Sequence, residues 1–171
     1  MPDLETERLL MITFTAEMME QLLIDRSKFI KEVPFDVADE FPLEVYQQFF
    51  PYKVERFKKY PHENEWEGII VLKEENKIIG DMGFKGGPDH AGVLDIGYSI
   101  VPEYRGRGIA TEMGKEMVRW GFKDVNVKTI IPTSNPENIA SKKVLEKIGF
   151  QIERKTEEKI MWVLAKDLHD Q

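Results

Sequence analysis

The sequence predicts an α/β (α+β) domain, a mixed β-sheet of about seven strands flanked by about four helices on both of its faces. Three observations carry this. Short apolar runs of strand length alternate with two long segments of helical periodicity in the second half of the chain. Turn-forming residues separate the runs, and the order β-α-α-β-β-β-α-β-α-β-β requires crossover connections as well as hairpins. The 171 residues, 42% hydrophobic and 32% charged, suit one globular domain over residues 1–171 with a substantial core.

Arg8 to Phe14 reads as the first strand, and Thr15 caps a helix from Ala16 to about Lys28 on apolar positions Met18, Met19, Leu22 and Leu23. Residues 29–42, with Pro34 and Pro42, read as a loop. Leu43 to Tyr60 is expected to be helical, kinked or restarted at Pro51, because proline has no N–H and clashes with the preceding turn. Trp66–Leu72 and Lys77–Phe84 form a predicted hairpin around Glu74-Glu75-Asn76. After the turn signal Gly86-Gly87-Pro88-Asp89, Val93–Val101 is the next strand, Ile109 to about Lys123 a helix, and Val127–Ile131 another strand. Asn135 suits a helix N-cap with Pro136 at the first helical position, and Gly149 is placed to stop that helix. Phe150–Lys155 and Ile160–Leu164 close the sheet as a hairpin.

Between the strand ending at Val101 and the helix opening at Ile109 lies Tyr104-Arg105-Gly106-Arg107-Gly108. Two glycines and two arginines at a helix start make an anion cradle: the first-turn N–H groups are unbonded, and glycine lets a ligand approach the backbone. A nucleoside triphosphate loop would need a longer glycine spacing ending in Gly-Lys-Ser/Thr, which is absent. A dinucleotide loop would need a third glycine where Thr111 stands, in an opening βαβ unit.

The third class of phosphate ligand is coenzyme A. Arg105-x-x-Gly108-x-Ala110 resembles the Arg/Gln-x-x-Gly-x-Gly/Ala signature of the GNAT superfamily of N-acetyltransferases. Asp95-Ile96-Gly97-Tyr98 on the strand before it and the block from Asn135 through Ser141 to Lys147-Ile148-Gly149-Phe150 are similar to segments of the same superfamily. Glu5-Thr6-Glu7-Arg8-Leu9-Leu10 resembles the opening of the branch that holds the ribosomal-protein alanine N-acetyltransferases (RimJ/RimL-like). The run Met11-Ile12-Thr13-Phe14 lacks that branch's usual Arg-Pro, and Val33–Tyr60 follows no pattern of the family.

The resemblance implies a single-domain GNAT fold with acetyl-CoA as cosubstrate. It places the pyrophosphate on main-chain N–H groups of Arg105, Gly106, Arg107, Gly108, Ile109, Ala110 and Thr111, with charge from the two arginines unless these are solvated surface groups. The pantetheine arm would run as an extra strand beside Ile100 and Val101, where an N–H can polarise the thioester carbonyl. Asn135 and Asn138 would contact coenzyme A, although Asn138 also suits local backbone bonding. Ser141, three residues beyond Asn138 on an inward row continued by Leu145 and Ile148, would meet the sulfur and donate a proton, or be a small polar residue at a packing edge.

An alkylamine acceptor of pKa about 10 must lose a proton before it attacks. Asp95 is the first candidate for that base, with Glu67 and Asp81 on neighbouring strands in reserve, each of them otherwise a solvated strand-edge acid. Strand alternation puts Asp95, Gly97 and Ser99 on one face and Tyr98 on the other, so Tyr98 is a cleft wall or core residue and a second proton-donor candidate.

The expected activity is direct acetyl transfer to a primary amine, on a protein or peptide N-terminus or a small molecule. The alternative is a non-catalytic acyl-CoA-binding sensor. With no cysteine in the chain, a cysteine-linked acetyl-enzyme is excluded, and a reducing cytoplasm is compatible. The net charge of −7 argues against nucleic-acid partners and favours solubility or attraction of cationic amines. His62, His90 and His169 lack metal-ligand spacing, so no metal is expected. Neither a signal peptide nor a membrane span is read, and a monomer or homodimer fits. Trp120 falls in step with Ile109, Met113 and Met117 as a core stripe; Trp66 and Trp162 read as core; Lys142 and Lys143 face outward, where either would meet a 3′-phosphate or only solvent.

Overall fold

A computed structural model describes residues 3–134 and 139–169. One sheet organises the described residues. Its strands are β1 (Leu4–Glu5), β2 (Leu9–Thr13), β3 (Asp36–Val37), β4 (Glu67–Leu72), β5 (Lys77–Phe84), β6 (Val93–Ile100), β7 (Thr129–Ser134), β8 (Gln151–Lys155) and β9 (Ile160–Ala165), in spatial order β1-β2-β4-β5-β6-β7-β9-β8, with β3 beside β5. The pairings are antiparallel except β3 with β5 and β6 with β7. The seven expected strands are all present. The two additional ones are two-residue pairings, too short to carry a periodic signal.

The first helical run divides. Thr15 caps α1 (Ala16–Ile24), accepting from the Met18 N–H as its spacing predicts. Asp25 then ends α1 and caps α2 (Arg26–Glu32) through the Lys28 N–H. The segment expected to be loop thus supplies α2 and β3, held together by Arg26 donating to the carbonyls of Ala38 and Phe41. Pro51 restarts the next helix as expected: α3 (Glu44–Gln47) gives way to α4 (Phe50–Lys59), followed by α5 (Pro61–Asn64). The long helix after the glycine loop is α6 (Ile109–Gly121); α7 (Ile139–Ile148) follows β7, and α8 (Lys166–His169) follows β9.

Helices cover both faces. On one, α6 packs so closely over Met82, Phe84 and Leu94 that a side chain at Gly121 would meet the Phe84 ring at 3.0 Å. There α7 crosses α6 at Gly114, where any Cβ would collide with Ile148. On the other face lie α1 and α4, whose Phe50 meets Phe14 edge-on at 5.5 Å. The core stripe Ile109, Met113 and Met117 is buried, as is Trp162; Trp120 stacks on Phe84. Among the described residues no helix is long and apolar enough to cross a membrane.

The feature that positions the site is a divergence of two parallel strands. β6 pairs with β7 from Val93 opposite Thr129 to Ile96 opposite Pro132, and no further. β6 continues to Ile100 against β5, while the end of β7 turns to β9. Among the described residues Gly97–Ile100 therefore has no strand partner on this side and forms one wall of a wedge.

Candidate active site

An antiparallel ladder turns alternate residues toward each neighbour. The Val101 N–H donates to the Ile79 carbonyl and the Lys85 N–H to the Asp95 carbonyl, so the odd-numbered residues of β6 face β5. The even-numbered ones face the wedge, which presents the N–H and C=O of Tyr98 and the N–H of Ile100. Arg105 Nε, 2.8 Å away, occupies the Ile100 carbonyl. Of the two residues expected to bond the pantetheine arm, Ile100 has its N–H toward the opening, whereas Val101 has its N–H committed to β5. Tyr98 joins Ile100 through its backbone, a role that strand register reveals and residue type does not.

Beyond the wedge, Gly106 and Gly108 adopt φ of +76° and +78°, a region that residues with a Cβ rarely enter. A Cβ at Gly106 would meet nothing within 4 Å, so the loop backbone lies open to a ligand. Gly108 is the N-cap of α6 and brings no side chain to the first-turn N–H groups of Ile109, Ala110 and Thr111. Ile109 and Ala110 are buried, so they can contribute to a ligand only through the backbone.

Both arginines are engaged. Beyond its bond to Ile100, the Arg105 charge reaches the Tyr46 phenol and lowers its pKa against the larger effect of burial. Arg107 stacks on the Tyr104 ring at 4.9 Å and donates to the Glu103 carbonyl. Arg8 holds the loop from outside, donating Nη1 to the Arg107 carbonyl at 2.9 Å and Nε to Glu112 Oε1 at 2.7 Å. Burial raises the Glu112 pKa, but hydrogen bonds from Thr6 and Arg8 outweigh it and hold the carboxyl below its ordinary value. The acid in the first turn of α6 is thus tied to Thr6 and Arg8, its charge balanced by the guanidinium. Next to Gly108 a cavity of about 480 Å³ is lined by Thr6, Thr111, Lys115 and Lys147 together with the carboxylates of Glu112 and Glu116.

Tyr98 and Ser141 meet. Tyr98 lies opposite Met82 on the α6–α7 face, and its Oη is 3.2 Å from Ser141 Oγ across the wedge. Burial chiefly raises the Tyr98 pKa, with Tyr46 adding to the rise and the Ser141 bond opposing it, so the phenol keeps its proton at neutral pH. Leu145 and Ile148 are buried along the expected inward row of α7. Asn135 and Asn138 lie outside the described residues.

The three carboxylates share the opposite face of the sheet, as alternation requires. Asp95 Oδ2 is bound to Lys85 Nζ at 3.3 Å, and its Oδ1 is buried without a hydrogen-bond partner. Glu67 is buried and paired with Lys53 of α4 at 3.2 Å. Asp81, opposite Ser99, accepts from Ser99 Oγ at 3.0 Å. Burial pushes its pKa up to about 7, with Glu67 adding to the rise and Lys53 and the Ser99 bond opposing it. Sequence reasoning put Asp95 first because of its place before Ile-Gly-Tyr; the hydrogen-bonded pair Asp81–Ser99 has no signal in residue type. Among the described residues no cluster of histidine and carboxylate could hold a metal.

Residues 8–151 match the acetyltransferase (GNAT) domain family. The chain belongs to that family. It is an acetyl-CoA-dependent acyltransferase. Over 161 residues it is 28% identical to the uncharacterized N-acetyltransferase YjdG of Bacillus subtilis (strain 168), covering 94% of this chain and 96% of that one. Its fold is similar to that of the ribosomal-protein-S5-alanine acetyltransferase from Vibrio fischeri (TM-score 0.69, 20% identity, 96% and 97% of the two chains). It is also similar to AAC(6')-Ib solved with paromomycin and acetyl-CoA (TM-score 0.66, 15% identity, 96% and 97% covered). The family match and these likenesses bear out the single-domain GNAT fold.

Proposed function

We propose that this protein transfers the acetyl group of acetyl-CoA directly to a primary amine, either a protein or peptide N-terminus or a small-molecule amine. The observation that carries the reading is the wedge. The unpaired β6 edge at Tyr98 and Ile100 runs toward the open N–H cradle from Gly106 to Thr111, with Ser141 and Tyr98 between. That edge suits an extended, amide-containing arm, and the cradle suits a diphosphate. The open Gly106 surface and the pairing of the Glu112 carboxylate with Arg8 fit such a ligand.

Acetyl-CoA supplies an acetyl group on a thioester sulfur. The edge N–H groups of β6 are suited to hold negative charge on the carbonyl oxygen. Ser141 Oγ holds a proton for the sulfur, and Tyr98, kept protonated by burial, stands behind it to replace that proton. The chain has no cysteine to carry the acetyl group, so transfer is direct. The amine attacks from the face of Asp81, Ser99 and Asp95, opposite the one that carries α6 and α7. The similarity to a ribosomal-protein acetyltransferase and to AAC(6')-Ib supports an amine acceptor of either size.

A mass-spectrometric screen of N-terminal peptides, polyamines, amino acids and aminoglycosides with acetyl-CoA tests this. The expected result is one acetylated product class, with S141A lowering kcat about 10²-fold at unchanged acetyl-CoA affinity. Acetyl-CoA bound but consumed only at the background hydrolysis rate with every amine would identify a sensor instead.

A further inference from the structure

The carboxylate row on the acceptor face is not uniform. Lys85 is bonded to Asp95, its stem crossing 3.4 Å from where a Gly97 Cβ would stand. Lys53 is bonded to Glu67, whose carboxylate fills the space left by the missing side chain of Gly83. Among the described residues Asp81 has no ion pair within salt-bridge distance; its hydrogen bond runs to Ser99. Ser99 stands on Gly97–Ile100, the stretch of β6 that walls the wedge, one strand from Asp81; its own side chain is buried, 5% exposed, and Asp81 is half-buried.

We propose that Ser99 and Asp81 form the proton relay for the acceptor amine. The ammonium group, directly or over one bridging water, passes a proton to Ser99 Oγ as the Ser99 hydroxyl proton moves to Asp81 Oδ2. The nitrogen is left with its lone pair, Ser99 is unchanged, and Asp81 becomes the neutral acid that later releases the proton to water. The relay rests on the acetyl-transfer reading and names the base for it.

The surroundings suit this role. The groups facing Asp81 are Lys53 from α4, Glu67 from β4, Ser99 from β6 and the Tyr46 phenol from α3, with Arg105 in turn near Tyr46. Lys53, bonded to Glu67, is the nearest opposing charge on Asp81, and burial still outweighs it. The Asp81 pKa of about 7 matches proton transfer near neutral pH, where a base must be ionised and still bind a proton. Burial and then Asp81 raise the Tyr46 pKa, so that phenol stays neutral beside the carboxylate.

The test pairs kinetics with a readout independent of turnover. Rates of acetyl transfer are measured against pH for wild type, D81N, S99A and D95N. In parallel, the carboxyl carbons of ¹³C-labelled aspartate are titrated by NMR, with the Asp81 signal assigned from its loss in D81N. The relay requires a wild-type acid limb in kcat/KM near pH 7 that D81N abolishes with about a 10²-fold fall in kcat. D95N keeps the limb. S99A moves the Asp81 titration upward, because a bond favouring the carboxylate is gone. An Asp81 signal titrating in the ordinary carboxylate range, or an acid limb that survives D81N or disappears in D95N, overturns the relay and leaves acetyl transfer standing. Wild-type protein that acetylates no amine overturns both.

Discussion

Asp81 shows how far a side chain's place in the sheet outweighs its type. It is one acid among 31 Asp and Glu residues, and the sequence holds it only in reserve behind Asp95. Its burial against Ser99 and under α3–α4 marks it out, and that burial has a consequence for stability. The folded protein holds the Asp81 proton between the ordinary carboxyl value of 3.8 and about 7, while the unfolded chain has already lost it. Stability from this group is therefore full below the unfolded value and falls as pH rises through that window. Asparagine carries no charge to bury, so D81N is expected to raise Tm relative to wild type at pH 8 and to lose much of that advantage at pH 5. Thermal melts at the two values check this; an equal Tm difference at both would contradict it. The Arg8–Glu112 clamp makes a related point: its partners are 104 positions apart, and only folding brings Arg8 to the loop it holds.

At the scale of elements, the helices and strands with strong periodicity were legible: β4 through β6, α6, and α7 with its stop at Gly149, which takes φ of +119°. The split of the first helix at Asp25 was not, because one aspartate ends α1 and caps α2 in a single residue and leaves the apolar rhythm almost unbroken. β3 escaped notice since two residues have no alternation to read, and its partner is distant in sequence. The glycine loop was legible as an anion cradle because its backbone needs are written in residue type. The free edge of β6 was not, because a missing strand partner leaves no mark in composition. α7 depends on α6 through Gly114, where Ile148 fills the space of a side chain. G114A should cost about 1–3 kcal/mol by chemical denaturation, the typical penalty of overpacking. It should also lower kcat by displacing Ser141 from Tyr98. A stability equal to wild type would show that the helix pair has slack there.

For the whole molecule, the divergence of β6 from β7 sets the division of labour. One face of the sheet carries α6, α7, Tyr98 and Ser141; the other carries Asp81, Ser99, Asp95 and the helices from α1 to α5. On the proposed reading, two reactants approach a single opening from opposite sides, the cosubstrate held by backbone and the acceptor met by side chains. This is why the cosubstrate was readable from a short motif and the acceptor was not: backbone sites are specified by glycine and register, whereas Val33–Tyr60 departs from the family's pattern. The net charge of −7 suits capture of a cationic acceptor. Amide chemical shifts during titration with acetyl-CoA test the central claim most directly. The account predicts saturable shifts at Tyr98, Ile100 and Gly106 through Thr111, and none with NAD. Shifts confined to other surfaces, or an unchanged spectrum at saturating acetyl-CoA, would contradict it.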